Sequence, residues 1–298
     1  NLRVKADSVG IKCQDYDLDK AVESPEELFS GLKVIEVTDE EVDKFYTGNL
    51  IIENDESLCP NQFVVLQSDT NEKKTALCKF VGANEPVKKI IPYKDIWGVR
   101  ARNKEQEFAL DLLFDENVHI ISLVGRAGSG KTLLSIAAGL EQVLNSQAHK
   151  KGYQKLIVTR PVQPMGRDIG FLPGTLEEKM MPWVAPIRDN LEHLFGDKAA
   201  MEMYMEQGII EVEAMTYIRG RSISNAYIIL DEAQNLTTHE LKTIITRVGE
   251  GTKIILTGDI QQIDNSYVDA TSNGLAYAVE KFKQYKISGH VTLSKGER

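Results

Sequence analysis

The sequence predicts an α/β fold with a mostly parallel sheet, preceded by a small β-rich domain. From residue 99 onward, short apolar runs alternate with stretches of helical periodicity, which is typical of a parallel sheet covered by helices. A glycine-rich turn also joins one apolar run directly to a helix. The chain of 298 residues therefore divides into a linker or arm at 1–30, a β-rich domain at 31–98 and the α/β domain at 99–298.

The composition is that of a soluble globular protein with a sizeable core, with 42% hydrophobic and 27% charged residues. The net charge of −9 argues against a protein whose whole surface binds nucleic acid, although a local basic face can still bind nucleic acid.

Cysteine usage and hydropathy predict a cytoplasmic protein without membrane contact. Cys13, Cys59 and Cys78 are far apart and form no C-x-x-C pair, so we expect a reducing compartment and no structural zinc. No apolar run approaches the ~18 residues that a membrane span needs. The start shows no signal peptide, but it is Asn1 rather than Met, so we expect a piece of a longer protein.

The first two segments differ in composition and in residue pattern. Residues 1–30 are polar and acidic, as in a mobile arm. From Leu32 to Tyr93, short β-rich runs are separated by turn residues, which predicts an antiparallel barrel or half-barrel of about five strands. A spacer that packs on the following domain and a nucleic-acid-binding barrel both fit this segment.

The stretch His119–Thr132 reads as a strand, a phosphate-binding loop and the start of a helix. Glycines let the backbone N–H groups approach a polyphosphate, and the positive end of the helix faces it. Lys131 is expected to reach the β- and γ-phosphates, and Thr132 to ligate Mg²⁺. The loop residues are Gly125, Arg126, Ala127, Gly128, Ser129, Gly130, Lys131 and Thr132.

Just upstream, Asn103 and Gln106 open a predicted helix. A glutamine here can pair with the N6 and N7 edge of adenine, as amides do when they read adenine in DNA. A polar helix start is the alternative.

A second apolar strand, Lys155–Val162, ends in Thr159, Arg160 and Pro161, where side chains of a parallel sheet face the site crevice. Arg160 can contact the phosphates of a nucleic acid, or it can be a solvated surface charge.

The run Ala226–Leu230 is a buried strand followed by Asp231 and Glu232. At the carboxyl end of this strand Asp231 can hold Mg²⁺ through water. We expect Glu232 to point the other way along the pleat and polarise the attacking water. Thr237 and Glu240 form a predicted capping box for a helix that Gly249 stops.

A further strand, Lys253–Leu256, leads to Gln262, which is placed to hydrogen-bond the γ-phosphate and report its loss. The last run ends on Lys295 and Arg298.

Together these motifs resemble the PhoH family of ATPases, strongly over Arg100–Arg298 and more weakly over Leu32–Tyr93. The motifs are GRAGSGKT, TRPV, GFLPG, ILDEAQN, TGDIQQID and LSKGER. The upstream region resembles the part that joins a PIN ribonuclease domain to PhoH in fused proteins. No PIN acidic cluster is apparent, so we expect no nuclease activity from this chain, and whether a PIN domain precedes it stays open.

The resemblance implies a single RecA-like P-loop NTPase domain that hydrolyses ATP with Mg²⁺ and acts on single-stranded RNA. The motifs also resemble those of superfamily 1 helicases, which have two RecA lobes, whereas this chain has room for one. A charge-stabilising arginine is then expected from a neighbouring subunit, Arg298 or another such as Arg221, in a homo-oligomeric ring, for which RecA-like proteins suggest a hexamer.

The leading hypothesis is ATP hydrolysis coupled to RNA binding, unwinding or translocation. The alternative is an ATP-dependent switch or scaffold that regulates a partner nuclease without unwinding. A small-molecule kinase fits less well, because Glu232 with Gln262 suits attack by water.

Overall fold

A computed structural model describes residues 9–10, 20–52, 55, 57–145, 152–161, 176–215 and 222–296, without the side chains of 176–180. The strands in these residues are β1 Leu32–Val37, β2 Gln62–Ser68, β3 Thr75–Phe80, β4 Lys88–Lys89, β5 Ile120–Gly125, β6 Lys155–Arg160, β7 Ile210–Ala214, β8 Ala226–Leu230, β9 Lys253–Gly258 and β10 Ser288–Leu293. The α-helices are α1 Asp39–Thr47, α2 Lys104–Phe114, α3 Lys131–Leu144, α4 Leu176–Phe195, α5 Lys198–Glu206, α6 Thr238–Ile245 and α7 Gly274–Phe282.

The larger sheet has six strands in the order β10-β5-β9-β8-β6-β7, and all of its pairings are parallel. Helices cover both faces of this sheet because its strands are apolar on both sides. In β5, Ile121 and Leu123 face the cluster that contains α2, α3 and α4, whereas Ile120 and Val124 face the cluster that contains α6 and α7. This arrangement confirms the predicted α/β fold with a mostly parallel sheet.

Helix α3 packs closely against the middle of the sheet. A Cβ atom added at Gly139 would lie 2.8 Å from Leu156 Cδ1 and 2.9 Å from Tyr227 Cδ1. A larger residue at position 139 would therefore push α3, and the loop before it, away from the strands.

The β-rich segment is an open, mixed sheet rather than the predicted antiparallel barrel. Its order is β1-β2-β3-β4, and β1 runs parallel to β2. A parallel pair needs a crossover, which α1 supplies. The capping box of Thr38 with Glu41 starts α1, and Val42 and Phe45 bury its apolar side. In the described residues 49–52, one antiparallel bridge joins Ile51 to Pro86.

The small sheet packs on α2. The rings of Phe63 and Phe108 stack with centroids 4.4 Å apart. Lys79 Nζ lies 2.6 Å from Asp111 Oδ2 and 2.7 Å from Asp115 Oδ2, and all three side chains are largely buried. This packing is what a spacer domain would show.

Residues 20–30 are not a free arm. Ala21 N donates to Thr271 O, Phe29 N donates to the Glu280 carboxylate, and the Phe29 ring lies against His290. Phe29 thus packs on α7 and β10, and Ala21 pairs with the segment before α7, while the boundaries given for the arm and the two domains stay a prediction.

Helix α6 is shorter than predicted. The capping box of Thr237 with Glu240 is present, but the helix ends at Ile245 rather than at Gly249. Gly249 N instead donates to Ile223 O, so the segment leaves the helix to pair with another loop. Across the described residues, no helix has both the length and the apolar character to cross a membrane.

Candidate functional site

The phosphate-binding loop lies between β5 and α3, as predicted. Gly128 and Gly130 have φ of 80° and 89°, in the left-handed region that side chains disfavour. Ser129 is fully buried, and its N–H group donates to Arg126 O. The loop is thus a tight turn that aims the start of α3 at the cleft above the sheet.

The N-terminus of α3 has no side-chain cap. Its N-cap residue is Gly130, and its first turn contains no acidic residue. Side chains accept from backbone N–H groups at the N-termini of α1, α2, α5, α6 and α7. Uncapped N–H groups and the helix dipole make the start of α3 suited to an anion.

Lys131 lies beside this helix start. Its Nζ donates to Gly125 O at 2.6 Å and to Arg126 O at 2.9 Å. Burial lowers the pKa of Lys131, while the carboxylates of Asp259, Glu232 and Asp231 act in the opposite direction. Neutral carbonyl oxygens are weaker partners for a buried ammonium than phosphate oxygens.

Thr132 and Asp231 meet across the cleft. Asp231 Oδ1 accepts from Thr132 Oγ1 at 2.7 Å and from Thr257 Oγ1 at 2.6 Å. Strand β8 places Asp231, whose N–H group donates to Thr159 O on β6 at 2.8 Å. Thr132 at the start of α3 and Asp231 after β8 therefore lie at the same edge of the sheet, and their predicted roles toward a metal ion stay predictions.

The donor set fits Mg²⁺ held together with a nucleotide. One hydroxyl and one carboxylate are hard oxygen donors, and Mg²⁺ in such sites takes its other ligands from phosphates and water. No group of three His, Cys, Asp or Glu side chains that could hold a metal ion occurs in the described part of the chain. A hydroxyl and a carboxylate at this spacing suit an ion whose remaining ligands come from a bound phosphate and water.

Glu232 occupies an unexpected backbone conformation. Its φ is 55° and ψ is 39°, in the left-handed region, and it caps the 3₁₀ helix Ala233–Asn235. Strand β8 ends at Leu230, so strand pleating does not orient this side chain as the sequence argument assumed. Glu232 Oε2 accepts from Gln234 Nε2 at 2.5 Å, and Arg160 Nη2 lies 3.4 Å from Glu232 Oε1.

Gln234 ties the loop after β8 to the loop after β9. Its fully buried amide also donates to Gln262 O at 2.8 Å and accepts from Asp259 N at 3.2 Å. Asp259 Oδ2 in turn accepts from Ala127 N of the phosphate-binding loop at 3.2 Å. The exposed Gln262 is therefore held at the rim of the cleft through its main chain.

Gln106 holds the phosphate-binding loop in place, and Asn103 caps the helix that carries Gln106. Asn103 caps α2 by accepting from Gln106 N at 3.0 Å. The buried Gln106 amide donates to Ser129 O at 3.0 Å and accepts from Arg102 N at 2.7 Å. An adenine contact by either residue stays a prediction, and Gln106 has one N–H and one lone pair left for it.

These groups surround a cleft of about 710 Å³. The segment before α2 and helix α4 both contribute to its lining, and they adjoin where Trp97 packs on Phe195 with ring centroids 5.1 Å apart. The lining residues include Gly98, Val99, Arg100, Arg102, Gln106, Lys131, Thr132, Asn190, His193, Asp231, Glu232, Asp259 and Gln262.

Sequence comparison agrees with this geometry. The family described as PhoH-like protein matches residues 98–297. The chain belongs to the PhoH-like protein family. Protein PhoH2 of Bacillus subtilis (strain 168) is 46% identical over 304 residues, which cover all of this chain and 68% of that protein.

Other PhoH-like relatives are more distant. Protein PhoH2 of Mycolicibacterium smegmatis is 36% identical over 299 residues, covering all of this chain and 65% of that protein. The PhoH-like chain thus spans about two thirds of the length of these relatives. Pif1 helicase from Candida albicans is a solved structure with 16% identity and a TM-score of 0.32, covering 66% of this chain and 40% of that one. A likeness this slight carries no functional argument.

Several residues in or behind the cleft of this PhoH-like protein were not assigned from sequence. Thr257 has a visible signal, since it sits at a strand end next to Gly258 and Asp259. Asn190 and His193 share one side of α4, but nothing in the sequence ties that helix to the cleft. Gln234 is missed because its three partners come from separate stretches.

Two predicted arginines, Arg298 and Arg221, lie outside the described residues. The segment before Arg298 does reach the site: Glu105 accepts from Ser294 N at 2.7 Å. A Cβ atom added at Gly296 would lie 3.9 Å from Ala127 O. The end of β10 therefore leads back toward the phosphate-binding loop of the same chain.

Proposed function

We propose that this PhoH-like chain is a Mg²⁺-dependent ATPase that couples hydrolysis to single-stranded RNA binding, unwinding or translocation. The observation that carries the ATPase part is the uncapped start of α3 beside Lys131, opposite the pair of Thr132 and Asp231. An anion-binding helix end, a buried ammonium and a hard oxygen pair together match the needs of a triphosphate with its metal ion.

The site residues have separate roles in the proposed hydrolysis. Lys131 and the N–H groups of the loop bind the β- and γ-phosphates and hold them in line. Thr132 and Asp231 would hold Mg²⁺, which neutralises charge on the phosphate oxygens when bound. Glu232 accepts a proton from the attacking water, and Gln262 lies at the rim to hydrogen-bond the γ-phosphate.

Support for RNA comes from the ordered motifs that resemble superfamily 1 helicases and from Arg160 at the site edge. An arginine next to the catalytic carboxylate can bind a backbone phosphate. The alternative, an ATP-dependent switch for a partner nuclease, uses the same residues but predicts turnover that ignores RNA.

We also propose a homo-oligomeric ring, expected to be a hexamer, in which Arg298 or another arginine such as Arg221 completes a neighbour's site. One RecA-like lobe alone supplies no facing lobe to provide a charge-stabilising arginine. Mixing Arg298→Ala chains with Glu232→Gln chains should restore part of the turnover if the arginine acts between subunits. The ring would be rejected if the mixture stayed inactive and mass measurements with ATP showed only monomers.

Phosphate release from ATP tests the proposed function. The wild-type chain should release phosphate only with Mg²⁺, faster with single-stranded RNA, and Lys131→Ala should abolish the activity. A turnover rate that does not change when RNA is added would favour the alternative, an ATP-dependent switch for a partner nuclease. Absence of any turnover, with and without RNA, would reject the ATPase.

A further inference from the structure

Arg160 reaches the catalytic carboxylate because of sheet order. Strands β6 and β8 are parallel neighbours, with Thr159 opposite Leu230. Arg160 and Asp231, the residues that follow this pair, therefore lie at the same edge of the sheet, next to Glu232. Arg160 Nη2 is 3.4 Å from Glu232 Oε1, and no other ion pair joins the ends of these strands in the described residues.

The resting contacts of Glu232 conflict with its proposed role. One carboxylate oxygen faces Gln234 at 2.5 Å, and the other faces Arg160 at 3.4 Å. A general base must have one oxygen within hydrogen-bond reach of the attacking water. Water that approaches either oxygen therefore competes with one of the two contacts for space and for a lone pair.

The contact with Arg160 is the one that can give way. Gln234 is fully buried, and its amide makes two further hydrogen bonds that would be lost if it moved. Arg160 and Glu232 have side-chain exposures of 23% and 32%, so solvent and solutes reach their pair. A pair this exposed is weak and is readily exchanged for another anion.

We propose that Arg160 is a latch that an RNA backbone phosphate releases. Without RNA, the guanidinium holds Glu232 Oε1 away from the attacking water. A phosphodiester of single-stranded RNA takes the guanidinium, whose planar fork matches phosphate, and frees that oxygen. The latch rests on the proposed function and adds the residue that links RNA binding to hydrolysis. Gln234 keeps the freed carboxylate in position.

The test is Arg160→Gln, with Lys198→Gln as the matched control. Lys198 forms a surface ion pair with Glu202 at 3.9 Å, outside the cleft, so its substitution makes the same change in charge. Without RNA, Arg160→Gln should hydrolyse ATP about two- to six-fold faster than wild type, the factor expected when an exposed ion pair no longer competes with the active conformer. Its stimulation by a short oligouridine should shrink accordingly, while Lys198→Gln behaves as wild type.

Binding supplies a readout independent of turnover. With a non-hydrolysable ATP analogue, oligouridine should bind Arg160→Gln more weakly than wild type. The plot of log affinity against log salt concentration should become less steep by about 0.7, the change expected when one contact to a phosphate of a single strand is lost.

Turnover of Arg160→Gln at or below the wild-type rate without RNA would overturn the latch. Undiminished RNA stimulation, or an unchanged salt slope, would overturn it as well. If the wild-type chain hydrolyses ATP while the variant shows none of these changes, the latch alone fails. If the wild type shows no turnover, the proposed function fails first.

Discussion

Replacing Gln234 with leucine should damage both the stability and the chemistry of the site. The substitution keeps a similar volume but removes the hydrogen bonds to Glu232 Oε2, Gln262 O and Asp259 N. The Asp259 N–H group and the Gln262 carbonyl are left without this partner. A buried polar group left unpaired costs about 1–3 kcal/mol, and because Gln262 is exposed only the buried Asp259 N–H group bears this cost in full, so we expect the free energy of unfolding to fall by roughly 1–3 kcal/mol.

The catalytic effect of Gln234→Leu follows from the bond to Glu232. A hydrogen bond to a charged group contributes about 1.5–3 kcal/mol, which corresponds to roughly 10- to 100-fold in kcat if it positions the base. The KM for ATP should change little, because the contacts of Lys131 and Thr132 remain. Steady-state phosphate release and urea unfolding measure the two effects separately.

Gln142→Leu is the matched control for this prediction. Gln142 is also a buried glutamine, and its amide donates to Leu113 O and Ala138 O, away from the cleft. This variant should lose stability but keep its kcat. An equal fall in kcat for both variants, or an unchanged kcat in folded Gln234→Leu, would refute the positioning argument.

Three further predictions follow from other contacts. Lys79→Met should lower the free energy of unfolding by about 3–5 kcal/mol in urea titrations, because it leaves the buried Asp111 carboxylate uncompensated; a loss below about 1 kcal/mol would contradict the buried ion pair. Burial lowers the pKa of His290 from its ordinary value of 6.5 to about 3. Between pH 6.5 and 3 the unfolded state therefore binds more protons than the folded state, and the free energy of unfolding of the wild type should fall as the pH drops through this range. His290→Phe should show a shallower fall in the same urea titrations, and an identical slope would refute the assignment. Thr132→Val should raise the Mg²⁺ concentration for half-maximal turnover about 10- to 100-fold, and an unchanged requirement would remove Thr132 from the metal site beside Asp231.

The large sheet could be predicted because its strands are buried on both faces. Such strands read as continuous apolar runs, and the run Ala226–Leu230 matches β8 residue for residue. The phosphate-binding loop has a local pattern that implies its own geometry. Asp231 and Thr132 then meet because parallel strands end at one edge, so this part of the site follows from topology.

The small domain could not be predicted as well because its local signals are weak. Helix α1 has only Val42 and Phe45 buried, so its apolar period is faint beside the β-rich runs around it. Its start did carry a sequence signal, since Thr38 and Glu41 have capping-box spacing. The parallel pairing of β1 with β2 depends on that helix, so overlooking the helix also gave the wrong sheet.

The contacts of Glu232 lie beyond sequence reasoning for a different reason. A left-handed backbone at a glutamate is uncommon, and no residue near it signals one. Its partners Arg160 and Gln234 come from a neighbouring strand and from the turn that this conformation creates. Such contacts depend on tertiary structure, and they orient the carboxylate that we propose as the base.

The most direct measurement of the central claim compares ATP binding with ATP turnover in Glu232→Gln. The substitution keeps the size of the side chain and leaves Lys131, Thr132 and the start of α3 intact. We predict that the Kd for ATP with Mg²⁺ stays close to the wild-type value while kcat falls about 100-fold or more, as for loss of a general base. Wild-type turnover in this variant, or loss of ATP binding together with turnover, would contradict a site in which α3 holds the triphosphate and Glu232 activates the water.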